Sequence, residues 1–140
     1  MNHSSDIRDR LRSAGLRATT PRLSILKTLN NATRPLSVDE IFRSLSRTGL
    51  DRVTVYRTLE HFKRGGIVRD VDLKKISRSY ELRDENDHHH IVCISCGKTE
   101  DFTGCDIETL ASRALKNSRS FTSVTEHSLE LFGTCTTCVR

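Results

Sequence analysis

Apolar residues recur every three or four positions as far as Phe62 and then alternate, so the pattern predicts helices first and strands afterwards. Ile7 and Leu11 mark a short helix over Asp6–Ser13, ended by Ala14 and Gly15. Leu23, Ile25, Leu26 and Leu29 mark a second, with Thr20 as cap and Pro21 in the first turn, closed off by Pro35. Ser37, Val38, Asp39 and Glu40 form a capping box for a third helix, which buries Ile41 and Leu45 and runs to Gly49. Val55, Leu59 and Phe62 share a face of a fourth, from Asp51 or Arg52 to Arg64, and Gly65 and Gly66 stop it. Ile67–Leu73 alternates, and Ser79–Leu82 can return beside it as a hairpin. Two helices joined through a tight glycine-containing turn fit a helix-turn-helix, and the hairpin after them makes it winged.

The polar run 83–87 reads as a hinge. Beyond it, His88–Cys93 and Thr99–Phe102 predict a hairpin around a Cys96–Gly97 knuckle, and Asp106 caps a helix through Lys116. Two strands are expected to follow, Phe121–Thr125 and Leu129–Gly133. The expected architecture is α+β: an N-terminal winged helix-turn-helix domain over residues 1–82, a hinge at 83–87, and a small α/β domain over 88–140. A second domain this short is poor in core and gains from a metal or a partner subunit.

Charge sharpens the division. Of 23 Lys and Arg and 18 Asp and Glu in the 140 residues, 17 and 9 fall before Arg83, so the first part carries +8 and the rest −3. A basic helix-turn-helix points to nucleic acid, with Thr54, Tyr56 and Arg57 near the start of the helix that would enter the major groove. No apolar run approaches the roughly 20 residues of a membrane span, and the polar start lacks the apolar stretch of a signal peptide, so a cytoplasmic protein away from membranes is expected.

Five cysteines, all from Cys93 onward, do not suit a disulfide framework. Two C-x-x-C pairs, Cys93 with Cys96 and Cys135 with Cys138, offer four soft thiolates, the donor set of a closed structural zinc site. Cys105 is left over as a partly buried or free thiol. A second set is nitrogen- and oxygen-rich: Glu81, His88, His89, His90, Asp101, Glu108 and His127. Such ligands suit Zn, Fe(II), Mn or Co, and strand alternation would place His88 and His90 on one face and His89 on the other. No nucleophile-and-base motif such as G-x-S-x-G accompanies them, and four Cys would leave no open metal position, so an enzyme is not expected.

Four motifs together resemble the ferric uptake regulator (Fur) family: Gly15-Leu16-Arg17-x-Thr19-x-Pro21-Arg22, Thr54-Val55-Tyr56-Arg57-Thr58-Leu59, His88-His89-His90-Ile91-Val92-Cys93-x-x-Cys96-Gly97-Lys98, and His127-Ser128-Leu129-x-Leu131-x-Gly133-x-Cys135-x-x-Cys138. The resemblance implies a homodimeric, metal-dependent transcriptional regulator, usually a repressor, that binds a palindromic operator in double-stranded DNA. Iron uptake is the leading regulon, with a zinc-uptake or a peroxide-sensing regulator of the same fold as alternatives. It implies one structural zinc per subunit on Cys93, Cys96, Cys135 and Cys138, and a regulatory divalent metal, Fe(II) or Zn with Mn as a further candidate, on Glu81, His88, His90 and Asp101. A further site in the dimerisation domain would use Asp87, His89, Glu108 and His127. Arg17 would approach the minor groove, Tyr56 and Arg57 would contact bases and phosphates, and Arg22 and Thr54 belong to the same DNA-binding motifs. The sequence departs from the family pattern at Asp87, where His is common, at His89, where Asp is common, and at Asp101, where Glu is common; the segment Asn31–Leu36 holds no His, and no Cys stands near the hinge as in some zinc-uptake regulators.

Overall fold

A computed structural model describes residues 3–74, 77–84 and 88–139. The chain divides into two compact units, Met1–Glu85 and Asn86–Arg140. In the first, the helices are α1 (His3–Ser13), α2 (Thr20–Asn31), α3 (Val38–Ser44) and α4 (Arg52–Arg64), and the strands are β1 (Leu36–Ser37), β2 (Val68–Val71) and β3 (Ser79–Leu82). The strands form an antiparallel sheet in the order β1-β3-β2, with Tyr80 opposite both Leu36 and Asp70.

One apolar core unites this unit. Ile7 and Leu11 from α1, Ile25, Leu26 and Leu29 from α2, Ile41 from α3, and Val55, Leu59 and Phe62 from α4 are all buried, and Ile67, Val68 and Tyr80 close the core from the hairpin side. The spacing that predicted four helices is the spacing that fills this interior. At the head of α3, Ser37 Oγ accepts from the Glu40 amide at 3.2 Å while the Glu40 carboxylate accepts from the Ser37 amide at 2.8 Å, the reciprocal capping box. After α4, Gly66 takes φ +70, a left-handed turn that a side chain would strain, and turns the chain into β2.

Several local expectations change. The first helix begins at His3 rather than Asp6. The cap of α2 is Thr19, extended at φ −80 and ψ 157, so Thr20 is already helical. The third helix stops at Ser44 and a 3-10 turn over Ser46–Thr48 covers the distance to Gly49. There Ser44 Oγ donates to the Ile41 carbonyl at 2.7 Å and Thr48 Oγ1 to the Leu45 carbonyl at 2.6 Å, local side-chain bonds that compete with continued α-helix.

The second unit holds β4 (His89–Cys93), β5 (Thr99–Phe102), α5 (Ile107–Asn117) and β6 (Glu130–Gly133). Its sheet runs β5-β4-β6, with β4 antiparallel to β5 and parallel to β6. The expected strand at 121–125 does not form: Phe121 and Val124 are exposed, and their i, i+3 spacing breaks strand alternation while both edges of β4 are already taken. Among the described residues the buried ones of this unit are His89, His90, Val92 and Cys93, and α5 buries none.

Replacing Ser37 with Ala should cost the first unit about 1 kcal/mol, and Phe62→Ala about 3–5 kcal/mol through the cavity it opens. Urea unfolding midpoints followed by helical circular dichroism measure both, and equal losses for the two would contradict a core centred on α4.

Candidate metal centres and nucleic-acid interface

The apolar face of α4 is committed to the core, which leaves the opposite face to solvent. Val55, Thr58, Leu59 and Phe62 are buried, whereas Arg52, Val53, Tyr56 and Arg57 are exposed and Thr54 is half-buried. Asp51 caps the helix, accepting from the Thr54 amide at 2.7 Å and from its hydroxyl at 3.1 Å. That amide bond holds the Asp51 carboxyl below its usual range. Arg52 is tied back by Asp39 at 2.6 Å and lies over the Phe42 ring at 5.3 Å. Arg17 is exposed between α1 and α2, while half-buried Arg22 donates to the Arg17 carbonyl at 2.9 Å, so Arg22 supports the backbone that presents Arg17. Tyr80 of β3 reaches α4 through Glu60 at 3.4 Å, and burial together with that carboxylate pushes its hydroxyl up to about 12, keeping it a donor.

In the second unit, the parallel pairing of β4 with β6 sets Cys93 opposite Gly133, and this register carries the last C-x-x-C pair up to the first. All four sulfurs lie within 4.8 Å of one another, with Cys96 and Cys135 at 3.7 Å. A tetrahedral zinc with Zn–S of about 2.3 Å needs sulfurs about 3.8 Å apart. Backbone amides, that of Cys135 foremost at 3.3 Å, draw the Cys93 thiol down to about 6. The Cys138 amide lowers Cys135, whereas hydrogen bonding to Cys135 pushes the Cys138 thiol up to about 12. Sulfurs this close repel one another as thiolates, and a dication is the species that offsets that repulsion. The donor set therefore fits structural zinc.

Histidines occupy both faces of β4. On one, the His88 and His90 rings meet edge to face at 5.2 Å, and His90 Nε2 lies 3.6 Å from Asp101 Oδ1 across the β4–β5 pair. On the other, His89 rests on Phe102 and its Nε2 comes within 3.3 Å of His127 Nε2. Cys105 Sγ stands 3.9 Å from that same His127 nitrogen, and the three donor atoms form a group within 4.8 Å. Glu108, exposed in the first turn of α5, is not in this group, and Asp87 lies outside the described residues. Glu81 sits on β3 in the first unit with its Oε1 2.6 Å from Arg69 Nε. Cys105 is the residue the sequence left out. Its signal was its oddness, a fifth Cys a few residues past the strand that pairs with His89.

The model of the ferric uptake regulator family matches residues 13–132. The chain belongs to this family. It is 35% identical over 129 residues to the ferric uptake regulation protein of Cupriavidus metallidurans, covering 90% of this chain and 89% of the relative. The crystal structure of the Vibrio cholerae ferric uptake regulator superposes with a TM-score of 0.74 at 32% identity, covering 91% of this chain and 98% of that one. The Francisella tularensis ferric uptake regulator with iron gives 0.73 at 32% identity, over 89% and 95%. As a Fur-family member this chain is a metal-responsive, DNA-binding transcriptional regulator and not an enzyme. Among the described residues, no helix is long and apolar enough to cross a membrane.

Cys96→Ser should lose one zinc per chain and with it the protease resistance of residues 86–140, while the first unit keeps its helical signal. Metal content and limited proteolysis measure this, and an unchanged zinc content with an intact second unit would remove the thiolate clip.

Proposed function

We propose that this regulator represses iron-uptake genes as a homodimer that grips a palindromic operator when a divalent metal, Fe(II) first among the candidates, is bound to Glu81, His88, His90 and Asp101. The observation that carries the reading is the pairing of a basic winged helix, whose α4 exposes Tyr56 and Arg57, with a second unit whose buried strand presents imidazoles beside a carboxylate at 3.6 Å. Imidazole and carboxylate together suit Fe(II), Mn and Zn. Arg17 enters the minor groove, Tyr56, Arg57 and Thr54 meet the major groove and its phosphates, and Arg22 holds Arg17 in place. A regulator of this kind works on cytoplasmic DNA.

Dimerisation is supported by what the second unit leaves uncovered. Leu110 of α5 is 58% exposed, Phe121 73% and Leu131 44%, and a second copy of the unit would cover such a surface. In the dimer the metal sets the spacing of the two winged helices to successive major grooves, about 34 Å apart. A switch of this type needs tighter metal binding in the DNA-competent state, and the coupling is reciprocal, about 1–3 kcal/mol or roughly 5- to 150-fold.

The test is fluorescence anisotropy on a duplex that the protein selects from a random pool, at fixed salt, with the structural zinc in place. Affinity should rise within that range on adding Fe(II) under anaerobic conditions, and Glu81→Ala should keep its zinc and lose the rise. Equal affinity with and without metal removes the switch. A rise with Zn(II) alone selects the zinc-uptake reading, and oxidation of His88 or His90 by peroxide selects the peroxide sensor.

A further inference from the structure

His89, Cys105 and His127 come from three separate stretches of the second unit, yet their donor atoms meet at one point. His89 belongs to the central strand of the sheet and is 3% exposed; Cys105 lies between β5 and α5, one residue before the Asp106 cap; His127 lies between α5 and β6. The two imidazoles face each other nitrogen to nitrogen at 3.3 Å, and the thiol sulfur is 3.9 Å from His127 Nε2. Zinc in a tetrahedral shell, with Zn–N of about 2.05 Å and Zn–S of about 2.3 Å, sets N···N at about 3.3 Å and N···S at about 3.6 Å. An N–H···N hydrogen bond would account for the imidazole contact alone. The thiol is within S–H···N reach of the same His127 Nε2, and one ring nitrogen has a single lone pair or a single proton for two neighbours, a competition that a cation shared by all three donors removes.

We propose that His89, Cys105 and His127 form a metal centre of their own, a His2Cys site that takes Zn(II), with the Cys105 thiolate as a ligand. The thiol releases its proton to solvent as the metal binds. Three protein donors leave a fourth position for water. The sulfur changes the chemical class of the site. The resemblance pointed to the oxygen- and nitrogen-bearing Asp87, His89, Glu108 and His127, a set hard enough for Fe(II) or Mn, whereas two imidazoles and a thiolate favour Zn(II) and its spectroscopic substitute Co(II). Occupancy fastens the loop before α5 and the segment before β6 to the central strand, so it orders the unit from the face of β4 opposite His90. The site is independent of the regulatory reading, and neither result decides the other.

The experiment is titration of the full-length chain with Co(II) while its four-thiolate zinc is retained, bound zinc being counted in the same samples. The unsubstituted chain should take up Co(II) with sulfur-to-cobalt charge transfer in the near ultraviolet, and Cys105→Ser should lose that absorption and bind at least about tenfold more weakly. His127→Gln should weaken binding by a similar factor. A readout that needs no variant is alkylation of Cys105, followed by peptide mass spectrometry, which added Zn(II) should slow by about tenfold or more. Charge transfer of full intensity in Cys105→Ser, or alkylation indifferent to Zn(II), overturns the proposal.

Discussion

A sheet whose described buried residues are His89, His90, Val92 and Cys93 has almost no apolar interior to set against the entropy of ordering its chain, so donor atoms gathered around a cation have to do part of what a core does elsewhere. Everything in the second unit follows from that constraint. The parallel β4–β6 pairing exists where the two C-x-x-C pairs meet, and the strand between the sheet's two edges carries imidazoles on both faces. Backbone amides that draw the Cys93 thiol down to about 6 and neighbouring sulfurs that drive Cys138 up to about 12 mark a group suited to a dication rather than to packing.

The first unit is built on the opposite principle. Its interior is continuous from Leu11 through Leu59 and Phe62 to Val68, and no ligand is needed to complete it. That self-sufficiency lets α4 spend one face on the core and leave Tyr56 and Arg57 in solvent, held at a fixed angle by Asp51 at the head and by Glu60 with Tyr80 along the side. Under the proposed function such anchoring would favour binding, because groups already ordered lose less entropy when DNA arrives.

The parts of the molecule written in short-range chemistry were the legible ones. Helix periodicity, the Ser37–Glu40 box and the C-x-x-C spacing each depend on residues a turn or two apart, and each appears in the structure. The misses share a different cause. The stretch expected as a strand at 121–125 joins neither outer edge of the β5-β4-β6 sheet, a tertiary outcome that no local pattern reveals. At the early end of α3 the hydroxyls of Ser44 and Thr48 bond to nearby carbonyls, a local alternative to helix that apolar spacing does not register. Cys105 had no motif around it. Its partners are 16 and 22 residues away, and only the β4–β5 register and the return of the chain after α5 bring them to it.

The ion pair between Arg69 and Glu81 on neighbouring strands of the wing has a thermodynamic corollary. Arg69 lies 2.6 Å from one carboxylate oxygen of Glu81, on side chains only 26% and 12% exposed, so under the proposed regulatory site a cation on Glu81 would share the carboxylate with a guanidinium. If Glu81 holds the regulatory metal as proposed, the positive charge of Arg69 beside it would raise the free-ion concentration needed to fill the site. On that reading the set point of the molecule would be written in part by an arginine that binds no metal at all.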